Sequence, residues 1–127
     1  MDNNNDECFD EKILEPLYYL TKIPGKKIRT KLIKSFNHWV NIPEDVLNNI
    51  TDIIETLHNS SLLIDDIEDN SQLRRGVPVA HSVFGVPLTI NAANYAYFIA
   101  LKKVIELNND KAIKIFSGMT IINYFKA

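Results

Sequence analysis

Cys8 is the only cysteine in the chain's 127 residues, so no intrachain disulfide can form, and a reducing compartment is expected. Charge of either sign is scarce in excess. The net charge of −2 gives no general pull toward nucleic acid, and no nucleic-acid partner is expected. No apolar run approaches the roughly 18 residues of a membrane span, and the opening Met1-Asp2-Asn3-Asn4-Asn5-Asp6 is not a signal peptide. Strand alternation, internal repeats and low-complexity segments are missing as well. Together these absences predict a soluble, cytoplasmic, globular protein without a membrane span.

What remains is helical periodicity. At 46% hydrophobic content the chain can bury one core, which predicts one all-α domain. Residues 1–10 read as a flexible polar tail, 11–116 as the helical domain and 117–127 as a divergent C-terminal tail. A first helix is expected from about Ile13 to Thr21, before the Pro24-Gly25 break. A second runs from about Lys26 to Val40, with Ile28, Leu32, Ile33, Phe36, Trp39 and Val40 on one face. The third starts at Pro43, where Glu44 and Asp45 complement the helix dipole, and carries its apolar face to Asp65. His81 to Val86 is irregular or a short helix. Pro87 opens a fourth long helix to about Leu107, and a fifth begins at Lys111. In the fourth helix Ala92, Ala96 and Ala100 form a smooth stripe for close helix packing, while Tyr95, Phe98 and Leu101 are expected in the core.

The chemistry concentrates where the third helix ends. Asp65, Asp66, Glu68 and Asp69 fall within five positions, and Arg74 and Arg75 follow. Clustered carboxylates repel one another unless a cation neutralises them, and neighbouring arginines offer forked donors to phosphate. At 100° per residue, His58, Asp65 and Asp69 share an arc of roughly 40°, with Asp66 about 80° away from His58. Asp65 and Asp69 stand one turn apart, which suits magnesium completed by water and substrate phosphate. A calcium loop fails, because reading from Asp66 the sixth position is Ser71 and the twelfth Val77. The bland alternatives are a solvated acidic helix end, and salt bridges from the arginines to Glu68 or Asp69. His58 alone would read as a buried, satisfied histidine; its place on the acidic stripe favours anion contact. Lys27, Lys31 and Lys34 read as a solvated face. Lys26 and Arg29, three apart beside the turn, divide evenly between solvent and an anion.

Asp65-Asp66-Ile67-Glu68-Asp69 resembles the first aspartate-rich motif, DDxxD, of the trans-isoprenyl diphosphate synthases. Pro24-Gly25-Lys26-Lys27-Ile28-Arg29-Thr30 resembles that family's G-K-x-x-R segment. Phe36-Asn37-His38-Trp39, Leu57-His58-Asn59, Leu73-Arg74-Arg75-Gly76 and Asn94-Tyr95 are similar to the animal-type geranylgeranyl diphosphate synthases. The resemblance spans about Ile13 to Phe116 as one colinear block.

The resemblance implies the N-terminal part of the isoprenoid-synthase helical bundle. It further implies that Asp65 and Asp69 ligate Mg2+ holding an allylic diphosphate, with Asp66 supporting the cluster and Arg74 contacting that diphosphate. Lys26, Arg29, His58 and Arg75 would hold the diphosphate of isopentenyl diphosphate. The activity implied is prenyl transfer by ionisation and condensation, with farnesyl diphosphate as the favoured allylic substrate. Ser60 and Ser61, one turn before Asp65, replace the aromatic that often floors the pocket in farnesyl-type relatives, so geranylgeranyl diphosphate is the expected product. No Ser, Cys and His constellation is needed for such a reaction, and none occurs.

A second aspartate-rich motif, and the lysine, threonine and glutamine positions beyond it, do not occur in this sequence. The chain therefore reads as a truncated synthase, with little or no activity alone. Apolar faces, notably the alanine stripe, are expected to be exposed, promoting homo-oligomers or pairing with a full-length synthase. The alternatives are a non-catalytic regulatory or binding subunit of a complete synthase, and a terpene cyclase of the same fold. Lys26, Arg29 and His58 speak against the cyclase, which has no use for an isopentenyl diphosphate site.

Overall fold

A computed structural model of the chain describes residues 11–125. The expected polar tail over 1–10, with Cys8, and the last two residues of the expected 117–127 tail lie outside the described residues. Among the described residues the architecture is all-α apart from one small hairpin. The elements are α1 (Glu15–Lys22), α2 (Ile28–Val40), α3 (Glu44–Glu68), β1 (Leu73–Arg74), β2 (Val77–Pro78), α4 (Ala80–Phe84), α5 (Val86–Glu106) and α6 (Asp110–Phe125).

The two long helices, α3 and α5, form the spine. Glu44 and Asp45 occupy the first turn of α3, where acids gain from the helix dipole. Its buried positions Ile53, Ser60 and Leu63 recur at helical spacing. Opposite them, Ala92, Ala93, Ala96 and Ala100 of α5 are fully buried. The alanine stripe is thus not an exposed face, as the sequence suggested. Side chains this short let the axes of α3 and α5 approach closely, and that contact already fills the stripe.

Two apolar clusters sit along this spine. Leu14, Leu17 and Leu20 pack with Leu63, Ala80, Ala92, Ala93 and Ala96 at one end. Ile53, Ala100, Val104 and Phe116 pack at the other. Phe98, expected in the core, is instead 69% exposed. It lies two residues past Ala96, about 200° around the helix from that buried stripe.

Amphipathic α2 buries no residue, and Ile28, Leu32, Phe36, Trp39 and Val40 all stand exposed. It begins two residues later than expected, because Lys27 adopts a left-handed conformation (φ 50°) and serves as the cap residue. Its inner edge is tied to α3 where Thr30 Oγ1 donates to Glu55 Oε1 at 2.7 Å. Its far end is closed by Asn37, whose amide donates to Ile42 O at 3.1 Å while Oδ1 accepts from Ile42 N–H at 2.7 Å.

The hairpin is the element that periodicity did not announce. Leu73 pairs with Pro78 and Arg74 with Val77 in antiparallel register, leaving Arg75-Gly76 as a two-residue loop. Both loop residues have positive φ, 54° and 83°, the pattern of a type I′ turn. Tyr19 Oη anchors the hairpin to α1 by donating to Pro78 O at 2.9 Å.

Candidate functional site

A cavity of about 710 Å³ opens between α2, α3 and the hairpin. Its lining includes Pro24, Gly25, Lys26, Lys27, Arg29, Asp52, Glu55, His58, Asn59, Arg74 and Arg75. Five cationic side chains therefore face two carboxylates. That balance suits a polyanion larger than a single carboxylate. Lys26, Arg29, His58, Arg74 and Arg75, singled out from sequence, all meet here. They arrive from three directions: the α1–α2 loop and first turn of α2, the middle of α3, and the hairpin.

The hairpin does most of the aiming. Arg74 folds back on the end of α3, where its Nε lies 2.8 and 2.7 Å from the two carboxylate oxygens of Asp66. Its Nη2 lies 2.7 Å from Asp66 Oδ1 and donates to Asp65 Oδ2 at 3.1 Å. The partners are thus Asp66 and Asp65, rather than the Glu68 or Asp69 considered from sequence. The hydrogen bond to Asp66 is the chief reason that the Arg74 guanidinium holds its proton still more firmly than usual.

Arg75, at the left-handed corner of the turn, points the other way. Its Nη1 donates to Ile23 O and, at 3.3 Å, to Leu20 O. These carbonyls lie at the C-terminal end of α1, where the helix leaves acceptors unsatisfied and favours a cation. The same guanidinium lies against Gly25. Arg75 therefore both lines the cavity and holds the loop that carries Lys26.

His58 feels the positive surroundings. Burial pushes its imidazole below the ordinary 6.5, and the nearby Arg29, then Arg75 and Arg74, push the same way, with Glu55 opposing. An imidazole whose neighbouring charges are mostly arginines stands where an anion would be favoured.

Asp65 and Asp69 are exposed at the end of α3 and are not part of the cavity wall; Arg74 links Asp65 to it. Among the described residues no three His, Cys, Asp or Glu side chains converge as a complete metal cage. Two accessible carboxylates one turn apart still fit magnesium, which usually takes one or two protein carboxylates and fills its shell with water and substrate phosphate. Ser60 is fully buried and donates to Thr56 O at 2.8 Å, while half-buried Ser61 donates to His58 O at 2.8 Å. Sequence reasoning missed Glu55 and Asn59 as lining residues. Their spacing from His58, three before and one after, carried the signal for Glu55, since i and i+3 share a helix face.

A family model described as polyprenyl synthetase matches residues 10–123. The chain belongs to the polyprenyl synthetase family. Among curated relatives, a geranylgeranyl pyrophosphate synthase of Aspergillus flavus is 61% identical over 108 residues, covering 84% of this chain and 32% of that protein. One from Penicillium ochrochloron is 55% identical over 117 residues, covering 92% of this chain and 33% of that protein. A protein named terpene synthase, from Matsumurasca onukii, is 55% identical over 115 residues, covering 91% of this chain and 38% of that protein. This polyprenyl synthetase chain thus spans about a third of the length of the curated relatives it matches. Among the described residues no helix is long and apolar enough to cross a membrane.

Proposed function

We propose that this chain carries the diphosphate-binding part of a magnesium-dependent prenyltransferase. That enzyme joins an allylic diphosphate, with farnesyl diphosphate favoured, to isopentenyl diphosphate and gives geranylgeranyl diphosphate. The observation that carries the proposal is that Lys26, Arg29, His58, Arg74 and Arg75 line one cavity. The names of the Aspergillus and Penicillium relatives support the product.

In this reading Arg74 holds the allylic diphosphate, and Lys26, Arg29, His58 and Arg75 hold that of isopentenyl diphosphate. Asp65 and Asp69 hold magnesium, which supplies positive charge that favours departure of the allylic diphosphate. The allylic C–O bond breaks with its electron pair leaving on diphosphate, the isopentenyl double bond forms the new C–C bond, and a proton departs. The cationic side chains of this chain fix both diphosphates, so that the two carbons meet in a defined orientation. Small Ser60 and Ser61, standing one turn before Asp65 where farnesyl-type relatives often carry an aromatic, favour the longer product. The setting is cytoplasmic.

In this reading the 127 residues bind diphosphate without turning over by themselves. Prenyl transfer from labelled isopentenyl diphosphate to farnesyl diphosphate, with magnesium, tests this. No labelled product from the chain alone is expected; labelled geranylgeranyl diphosphate would overturn that part. Adding a full-length synthase tests the second reading, a non-catalytic subunit, which the exposed apolar face of α2 favours. Co-purification with a changed product length would support it. The terpene synthase relative raises a cyclase, but a cyclase leaves the Lys26, Arg29 and His58 set without a ligand.

A further inference from the structure

Asp66 is only 2% exposed, yet it is a carboxylate in a row of acids whose neighbours face solvent. It is not placed to meet a cation from solution. Its oxygens are taken up by the Nε–Nη2 edge of Arg74, with three contacts of 2.7–2.8 Å. A side-on, two-point hold of this kind fixes the plane of the guanidinium as well as its position. Arg74, one-quarter exposed, also lines the cationic cavity. Asp65 touches Arg74 only through Nη2 at 3.1 Å and is half exposed.

We propose that Asp66 is a positioning residue: it is no metal ligand but a buried clamp that aims the Arg74 guanidinium into the diphosphate cavity. Asp65, by contrast, competes for the same guanidinium. The inference rests on reading the cavity as a diphosphate site. Its consequence is a sign that charge alone cannot produce. Asp65→Asn and Asp66→Asn remove the same negative charge from adjacent positions, and simple electrostatics has both tightening anion binding. The clamp has them act in opposite directions.

The test is calorimetric titration of the full chain and its variants with inorganic diphosphate, in metal-free buffer containing EDTA. Asp65→Asn is expected to bind about threefold tighter, the size of releasing one partly exposed contact. Asp66→Asn is expected to bind roughly tenfold weaker, as the fork loses its fixed plane. A structural role alone would spread through the fold, so the backbone amide spectrum should stay in place while the Arg74 Nε–H resonance of Asp66→Asn loses its protection from exchange. Equal or tighter binding by Asp66→Asn overturns the inference. Should that variant not fold, Arg74→Lys decides, since it keeps a cation for Asp66 but has no forked edge. Weaker binding by Arg74→Lys supports the clamp, and wild-type binding overturns it. If the wild-type chain itself binds no diphosphate, the cavity reading falls and the clamp with it. If it binds and Asp66→Asn is unaffected, the clamp alone falls.

Discussion

A Cβ placed on Gly25 would stand 3.0 Å from Nη2 of Arg75 and 3.3 Å from its Cζ. Fifty residues apart in sequence, the two are packed so closely that the guanidinium occupies the space a side chain would need. Gly76, beside Arg75, is a glycine for another reason. A Cβ there meets nothing within 4 Å, but its φ of 83° strains any L side chain.

The two glycines should therefore respond differently to the same substitution. Gly25→Ala and Gly76→Ala are each expected to cost about 1 kcal/mol in urea unfolding. With Arg75→Ala in the background, the cost at Gly25 should vanish while that at Gly76 persists. Gly25→Ala should also weaken diphosphate binding, because Arg75 must shift against the carbonyls of Leu20 and Ile23 that fix the Lys26 loop. Unchanged affinity would separate Arg75 from the loop.

The exposed face of α2 predicts association. Trp39 is 73% exposed and Phe36 54%, their ring centroids 5.9 Å apart. Aromatic groups gathered on one face remove much apolar area from water when covered. Sedimentation of the chain is expected to show concentration-dependent self-association. The double variant Phe36→Ser with Trp39→Ser should reduce it without lowering the unfolding midpoint, since α2 buries no residue. Association unaltered by the variant would place the contact elsewhere.

The spine and much of the site were legible because their signals are local. Glu44 and Asp45 ahead of a long apolar period announced α3, and Pro87 announced the start of α5. Lys26, Arg29 and His58 were found through short spacings and a family resemblance. What was illegible depends on partners distant in sequence. Four-residue alanine spacing marks a smooth face but not what covers it, so the contact with α3 was missed. The left-handed turn at Arg75-Gly76 lacks the Asn-Gly or Asp-Gly signature of its type. The hold of Arg75 on Leu20 and Ile23 uses backbone carbonyls, which carry no residue identity. Phe98 was misplaced because apolar character alone does not fix the side of a helix that is apolar on several faces.

The burial of the alanine stripe makes a direct claim on stability. Ala96 is fully buried at the α3–α5 contact, so Ala96→Leu forces the helices apart. A loss of about 1–3 kcal/mol is expected in urea unfolding, as for other overpacked cores. Phe98→Ala, two residues away and largely exposed, should stay within about 0.5 kcal/mol of the parent chain. A small effect at Ala96 with a large one at Phe98 would reverse the facing of α5.

His58 gives the pH dependence. Its imidazole is held below the ordinary 6.5, so the unfolded chain binds this proton more readily than the folded one. The stabilising contribution is therefore complete above pH 6.5 and is lost as pH falls toward and through the lowered folded value. Anion binding carries the opposite sign. An anion among Arg29, Arg74 and Arg75 offsets their charge and favours the imidazolium, so binding takes up a proton and strengthens as pH falls through that range. Sulfate, which does not titrate there, is the suitable probe. NMR titration should place the His58 pKa below 6.5 in the free chain and higher with sulfate bound. His58→Asn should flatten both the acid loss of stability and the acid gain in sulfate affinity. An imidazole whose titration ignores sulfate would put the anion away from His58, and would separate this residue from Arg29 and Arg75 in the binding of isopentenyl diphosphate.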